Sequence, residues 1–300
     1  MNICNTVREG IEINDLQALC RLITDLEANT SLLQPNQLPE RIEALDRFDI
    51  FNLDAWTGVT DAVLLRAKAV QAKLEAVNSE VYEAIRSEVR LGRGEQALLK
   101  WVRDSGEGAP PVIEGAGYDY LDELVVGALQ FDEPNAETIQ PIDGMVCYQP
   151  TPARHIFDLF DRTGLTQDDV LIDLGSGLGH VALLASICTG ARSIGIELEP
   201  VYVDIAKRTA EKLDLQRVTF VRRDAQTADL SAGTVFYLYT PFKGRMLRTV
   251  LDSVRREGAK RDIRVCTFGE CTATVEREDW LQAIGSPGEH RISLFRSRNG

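Results

Sequence analysis

This sequence is short of the residues that most metal and redox chemistry needs. Its 300 residues hold three histidines, at positions 155, 180 and 290, with no ligand spacing between them. Six cysteines (Cys4, Cys20, Cys147, Cys188, Cys266, Cys271) are scattered without a C-x-x-C pair. They read as reduced thiols packed as small hydrophobes. No apolar run reaches the roughly 18 residues that a membrane-spanning helix needs. The opening, Met1 to Thr6, lacks the basic and apolar regions of a secretory leader. These absences lead to the expectation of a cytoplasmic protein with no structural metal and no membrane partner.

Positive charge is scarce in one half. Residues 1–150 carry 12 Lys and Arg against 26 Asp and Glu, a net −14, whereas residues 151–300 carry 21 against 20, a net +1. Binding to a phosphate backbone depends on basic surface that releases counterions, so nucleic acid is not an expected partner. The basic clusters present, Arg222-Arg223 and Arg255 to Arg264, read as solvated faces. With 44% hydrophobic and 26% charged residues, the chain has the composition of an ordinary globular protein and length enough for two domains.

Hydrophobic periodicity divides the chain. From Asp15 to about Asp104, apolar stripes such as Leu16, Leu19, Cys20, Leu22, Ile23 and Val63, Leu64, Ala67, Val70, Leu74 repeat with helical spacing. Breakers at Asn29-Thr30, Pro35-Asn36, Pro39 and Asn52 to Gly58 separate several helices, and one more is expected over Tyr118 to Leu129. Past Gly144 the pattern changes. Thr151-Pro152 is expected to open a helix, with the threonine hydroxyl as N-cap and Gly164 as terminator. Short apolar runs (170–174, 193–196, 218–221, 235–239, 263–268) then alternate with helical ones (181–188, 201–213, 246–254). That alternation predicts βαβ units and a mostly parallel sheet, with a ligand over the carboxyl ends of the strands. The expected division is an all-α part over 1–140 and an α/β part over 141–300.

The stretch Val170-Leu-Ile-Asp173-Leu174-Gly175-Ser176-Gly177-Leu178-Gly179-His180 carries the chemistry. A buried strand ends beside an acid and turns through three alternate glycines into a helix. Glycines there let backbone approach a ligand that any Cβ would push away. Asp173 suits a cationic or donor group on that ligand. The next strand ends at Glu197, twenty-four residues on, where a carboxylate accepts both hydroxyls of a ribose. A dinucleotide fingerprint needs a small residue where His180 stands, which disfavours a nicotinamide-dependent oxidoreductase.

Residues 144–270 resemble a class I S-adenosylmethionine-dependent methyltransferase, with Asp173-Leu-Gly-Ser-Gly-Leu-Gly179 as its first motif. The resemblance implies a Rossmann-like, doubly wound, seven-stranded sheet. It implies that Gly175, Ser176, Gly177 and Gly179 wrap the amino-acid part of S-adenosyl-L-methionine, with Asp173 near its amino group. Glu197 would take the ribose, Leu198 would border the adenine, and Asp224-Ala225 would meet the adenine amino group. Tyr148-Gln-Pro-Thr151 resembles the segment that closes over the cofactor, with Thr151 near the carboxylate. The order of these motifs is similar to that of the non-SET histone lysine methyltransferases. At the end of the fourth strand the family's amino-group enzymes carry Asn or Asp, then Pro-Pro, then an aromatic; here stand Tyr239, Thr240, Pro241 and Phe242. Tyr239 and Phe242 are then expected to line the acceptor pocket, Tyr239 orienting an acceptor.

The reaction implied is an in-line methyl transfer to an N or O atom of a small molecule or protein side chain, leaving S-adenosyl-L-homocysteine. Binding of the same cofactor without turnover stays open as an alternative. The helical part is expected either to cover the cofactor cleft and select the acceptor, or to form a homodimer.

Overall fold

The computed structural model describes residues 13–51, 53, 61–103, 117–132, 148–240 and 242–298. Contacts divide the chain into two compact units, Met1–Ala84 and Ile85–Gly300. The expected division falls at residue 141, whereas contacts group the described helices between Ile85 and that point with the sheet.

The first unit is helical. It holds α1 (Ile13–Ala28), a 3₁₀ turn (Thr30–Leu33), α2 (Leu38–Asp49) and the first part of α3 (Asp61–Arg90). Its core gathers the stripes read from the sequence: Leu19, Leu22 and Ile23 of α1, Phe48 of α2, and Ala67, Val70 and Leu74 of α3. Fully buried among them lies Arg41. Its guanidinium donates to Asn78 Oδ1 at 2.6 Å and to the carbonyls of Leu32 and Gln34 at 2.8 and 2.6 Å. A buried cation is tolerated there because carbonyl and amide oxygens replace its water.

The second unit adds α4 (Gly94–Arg103), α5 (Tyr120–Leu129) and α6 (Ala153–Thr163) to a seven-stranded sheet. The strands are β1 (Val170–Leu174), β2 (Arg192–Glu197), β3 (Val218–Arg222), β4 (Val235–Tyr239), β5 (Arg264–Phe268), β6 (Leu281–Ile284) and β7 (Ser293–Ser297). They lie in the order β3-β2-β1-β4-β5-β7-β6, with β7 antiparallel to both neighbours. Helices α7 (His180–Thr189), α8 (Pro200–Lys212), α9 (Gly244–Gly258) and the short α10 (Thr272–Val275) complete it. Strands buried on both faces read as continuous apolar runs, so β1, β4 and β5 were legible. β6 and β7, with Gln282 and Arg296 facing solvent, carry no such signal. One core cluster joins Ile172, Leu174, Phe236, Leu238 and Val265 of the sheet to Val250, Leu251 and Val254 of α9. Each such side chain contributes about 1.5–3 kcal/mol by leaving water.

The start of α6 differs from the expectation. Pro152 is the N-cap residue, and no side chain of its own caps the helix. The acceptor comes from another helix: Asp122 Oδ1, in the first turn of α5, takes the Ala153 amide at 2.8 Å. The Thr151 hydroxyl instead meets the Tyr237 hydroxyl at 2.9 Å.

Candidate active site

Strand order reverses between β1 and β4, and the chain's acids and glycines collect at the carboxyl ends there. Asp173 on β1 is in register with Gly195 on β2 and Tyr237 on β4. Asp173 is 4% exposed, and among the described residues its carboxylate takes no hydrogen bond. Burial first, and the Glu197 charge second, push its carboxyl up to about 8. An acid in such surroundings suits a donor brought by a ligand.

Glu197, 5% exposed at the end of β2, has the opposite surroundings. Its Oε2 accepts the Gly177 amide at 2.8 Å, and its Oε1 accepts those of Leu198 at 2.6 Å and Glu199 at 2.9 Å. The glycine loop is also held through its own backbone, with the Gly175 and Ser176 amides donating to the Ile196 carbonyl. Gly175, Gly177 and Gly179 all have positive φ, at 85°, 51° and 88°. Gly177 needs its missing side chain for space as well: a Cβ there would lie 2.1 Å from the Tyr148 ring. Ser176 Oγ, within this loop, is buried with no partner among the described residues.

Tyr148 lies across the loop. Its hydroxyl is 3.2 Å from His180 Nδ1, and its ring is 4.9 Å from that of Tyr202. Burial holds His180 down to about 4, so the imidazole is neutral and Nδ1 accepts when the proton sits on Nε2. Burial raises the Tyr148 phenol far above its ordinary range. His180, read from the sequence only as a helix opener, and Tyr237, given no role there, stand beside Tyr148 and Asp173. A histidine opening a helix is ordinary, and only strand register sets Tyr237 beside Asp173.

The remaining expected residues divide. Leu198 is half-buried beside Glu197. Asp224 is half-buried, and its carboxylate accepts the Gln226 amide at 2.9 Å, closing the turn after β3. Ala225 belongs to the core cluster. Tyr239 ends β4 half-buried, its ring 4.8 Å from Phe268. Phe242 is 5% exposed and sits in the same core cluster as Leu174 and Leu247, so packing accounts for its place. Pro241 lies outside the described residues. Between them, Thr240 holds a left-handed φ of 37°, its hydroxyl donating to the Phe268 carbonyl and accepting the Cys271 amide, both at 3.2 Å. A β-branched residue in that conformation is strained, a state that persists where surrounding structure enforces it.

A seven-stranded sheet with this order, a glycine loop after β1, and acids closing β1 and β2 define a class I S-adenosylmethionine-dependent methyltransferase. Within the class, residues 145–232 match the family described as histone methylation protein DOT1. Two fungal relatives are named histone-lysine N-methyltransferase, H3 lysine-79 specific. The protein from Chaetomium globosum is 51% identical over 43 residues, 14% of this chain and 8% of its own length. The one from Cryptococcus neoformans is 45% identical over 56 residues, 18% of this chain and 9% of its own. The match thus spans less than a tenth of either relative. Among solved structures, an RNA methyltransferase from Salinibacter ruber is 25% identical, covering 50% of this chain and 92% of its own, with a TM-score of 0.39. A putative methyltransferase from Escherichia coli is 14% identical, covering 49% and 88%, with a TM-score of 0.42.

Proposed function

We propose that this chain binds S-adenosyl-L-methionine at the Asp173–Glu197 site and transfers its methyl group to an amine on a protein side chain. The observation that carries the reading is the contrast between the two acids. Asp173 is buried with no hydrogen-bond partner among the described residues, while Glu197 is fixed by three amides. The residues fit the cofactor: Asp173 and the unpartnered Ser176 Oγ suit its amino-acid part, Glu197 its ribose, and Leu198 and Asp224 its adenine.

When bound, the cofactor supplies a methyl group already activated on a sulfonium, so the protein's work is placement and exclusion of water. The glycine loop brings backbone to the ligand, Tyr148 and Thr151 cover it, and Tyr239 orients the acceptor. No described carboxylate stands at the end of β4, so an amine acceptor loses its proton to water before attack.

A protein acceptor is supported by the two fungal relatives, whose names specify a histone lysine. The test has two stages. Calorimetric titration with S-adenosyl-L-homocysteine should give micromolar binding that Asp173→Ala and Glu197→Ala each weaken. Transfer of tritiated methyl from labelled cofactor to histone H3, nucleosomes and lysine-rich peptides should then exceed transfer to small amines. Binding without transfer to any acceptor would favour a non-catalytic sensor, and absence of binding would withdraw the reading.

A further inference from the structure

The segment Tyr148–Ala153, which carries two of the cofactor-site residues, does not hold itself in place. Two ties on the segment and a third on the next residue, Arg154, join it to the start of α5, some thirty residues earlier. The Tyr118 hydroxyl donates to the Pro150 carbonyl at 2.8 Å. Asp122 Oδ1 accepts the Ala153 amide at 2.8 Å, and Arg154 Nε donates to Asp119 Oδ2 at 2.7 Å. The two acids are themselves locked together, because Asp122 Oδ2 accepts the Asp119 amide at 2.7 Å while Asp119 Oδ1 accepts that of Leu121 at 2.8 Å. One carboxylate, Asp122, therefore caps two helices: its own α5 and the α6 that follows the segment.

We propose that Asp122 and Tyr118 are positioning residues for the cofactor strap, setting cofactor affinity without touching the cofactor. The inference rests on the cofactor reading above and extends it to residues outside the span that matches the family. Its physical basis is a competition for oxygen acceptors. The free amides at the start of α6 need an acceptor. The nearest hydroxyl in sequence is Thr151, which would then leave Tyr237. With Asp122 supplying the acceptor, Thr151 stays on Tyr237 at 2.9 Å, beside the Asp173 register position. Tyr148, three residues before Thr151, stays in contact with the Gly177 backbone. A strap ordered before binding loses less conformational freedom when the ligand arrives.

The experiment is calorimetric titration of the full chain with S-adenosyl-L-homocysteine at 15 °C, alongside the thermal midpoint of each ligand-free protein. Tyr118→Phe removes one hydroxyl from a residue 47% exposed, so its fold is safe. It should raise Kd severalfold with little change in midpoint. Asp122→Ala should raise Kd tenfold or more, and Asp122→Asn, which keeps one acceptor oxygen, should fall between it and wild type. Asp158→Asn breaks an ion pair with Arg162 elsewhere on α6 and should leave Kd unchanged. A purely structural role predicts lower midpoints with Kd within twofold of wild type for both Asp122 variants and an unchanged Kd for Tyr118→Phe, and that result overturns the proposal. Wild-type protein that fails to bind would bring down the cofactor reading, and this inference with it.

Discussion

Glu197 accepts the amide of Gly177 at 2.8 Å, so the acid that closes β2 also holds the glycine loop that follows β1. The two motifs are one object, and a substitution in either reaches the other. Glu197→Ala leaves three buried or half-buried amides without an acceptor, each costing about 1–3 kcal/mol where it stays dry. Glu197→Gln keeps one acceptor oxygen but turns its amide NH2 toward a backbone donor. Both should lower the ligand-free thermal midpoint and abolish S-adenosyl-L-homocysteine binding. Loss of binding with an unchanged midpoint would mean that the loop stands without this carboxylate.

Asp173 makes the site sensitive to pH. Its carboxyl is pushed up to about 8 by burial and by Glu197, against an unfolded value of roughly 3.9. Between those values the folded state keeps a proton that the unfolded state loses. The contribution to stability is therefore full below pH 4 and is lost as pH rises through 8. Denaturant unfolding of Asp173→Asn should show a flatter pH profile over that window than wild type. If the ligand's amino group meets Asp173, binding releases the proton. Titration at pH 7 should then give heats that scale with buffer ionisation enthalpy, and buffer-independent heats would place that amino group elsewhere.

The Thr151–Tyr237 pair admits a double-mutant cycle. Thr151→Val strands a phenol that is 1% exposed and should cost about 1–3 kcal/mol. Adding Tyr237→Phe removes the stranded group and should recover part of that loss. Urea unfolding of the four proteins measures the coupling. Additive losses would deny the hydrogen bond any energetic role.

Arg41 is expected to hold the helical unit together. Arg41→Ala removes a fully buried side chain and takes the guanidinium donor from the Leu32 carbonyl and from Asn78 Oδ1. A loss of about 3 kcal/mol or more is expected from these two effects. Circular dichroism should show part of the helical signal melting earlier, with the sheet unit and cofactor binding preserved. A single unshifted transition would contradict this.

Much of the fold was legible because it depends on local pattern. Buried parallel strands leave continuous apolar runs, so β1 and β4 were readable to the residue. The glycines at 175, 177 and 179 announce positive φ, and their place between a strand and a helix marks a ligand loop. Asp173 and Glu197 were found by spacing along the chain. Other features were not local. Thr151 carries a good N-cap signature, yet the cap comes from Asp122, because an acceptor brought by folding outcompetes the one nearest in sequence. Phe242 reads as a pocket aromatic by motif and is a core residue by packing.

Sequence by itself determined the class of the sheet, the ligand loop and the two acids, since each rests on backbone periodicity or on what a missing Cβ permits. Tertiary structure alone decided the partners. That Asp173 lies buried beside Glu197, that Tyr237 stands in register with it, that Tyr148 lies on Gly177, and that α5 is tied to the strap all follow from register and helix placement. Those are set by the burial of many side chains at once, and no single stretch of sequence encodes them.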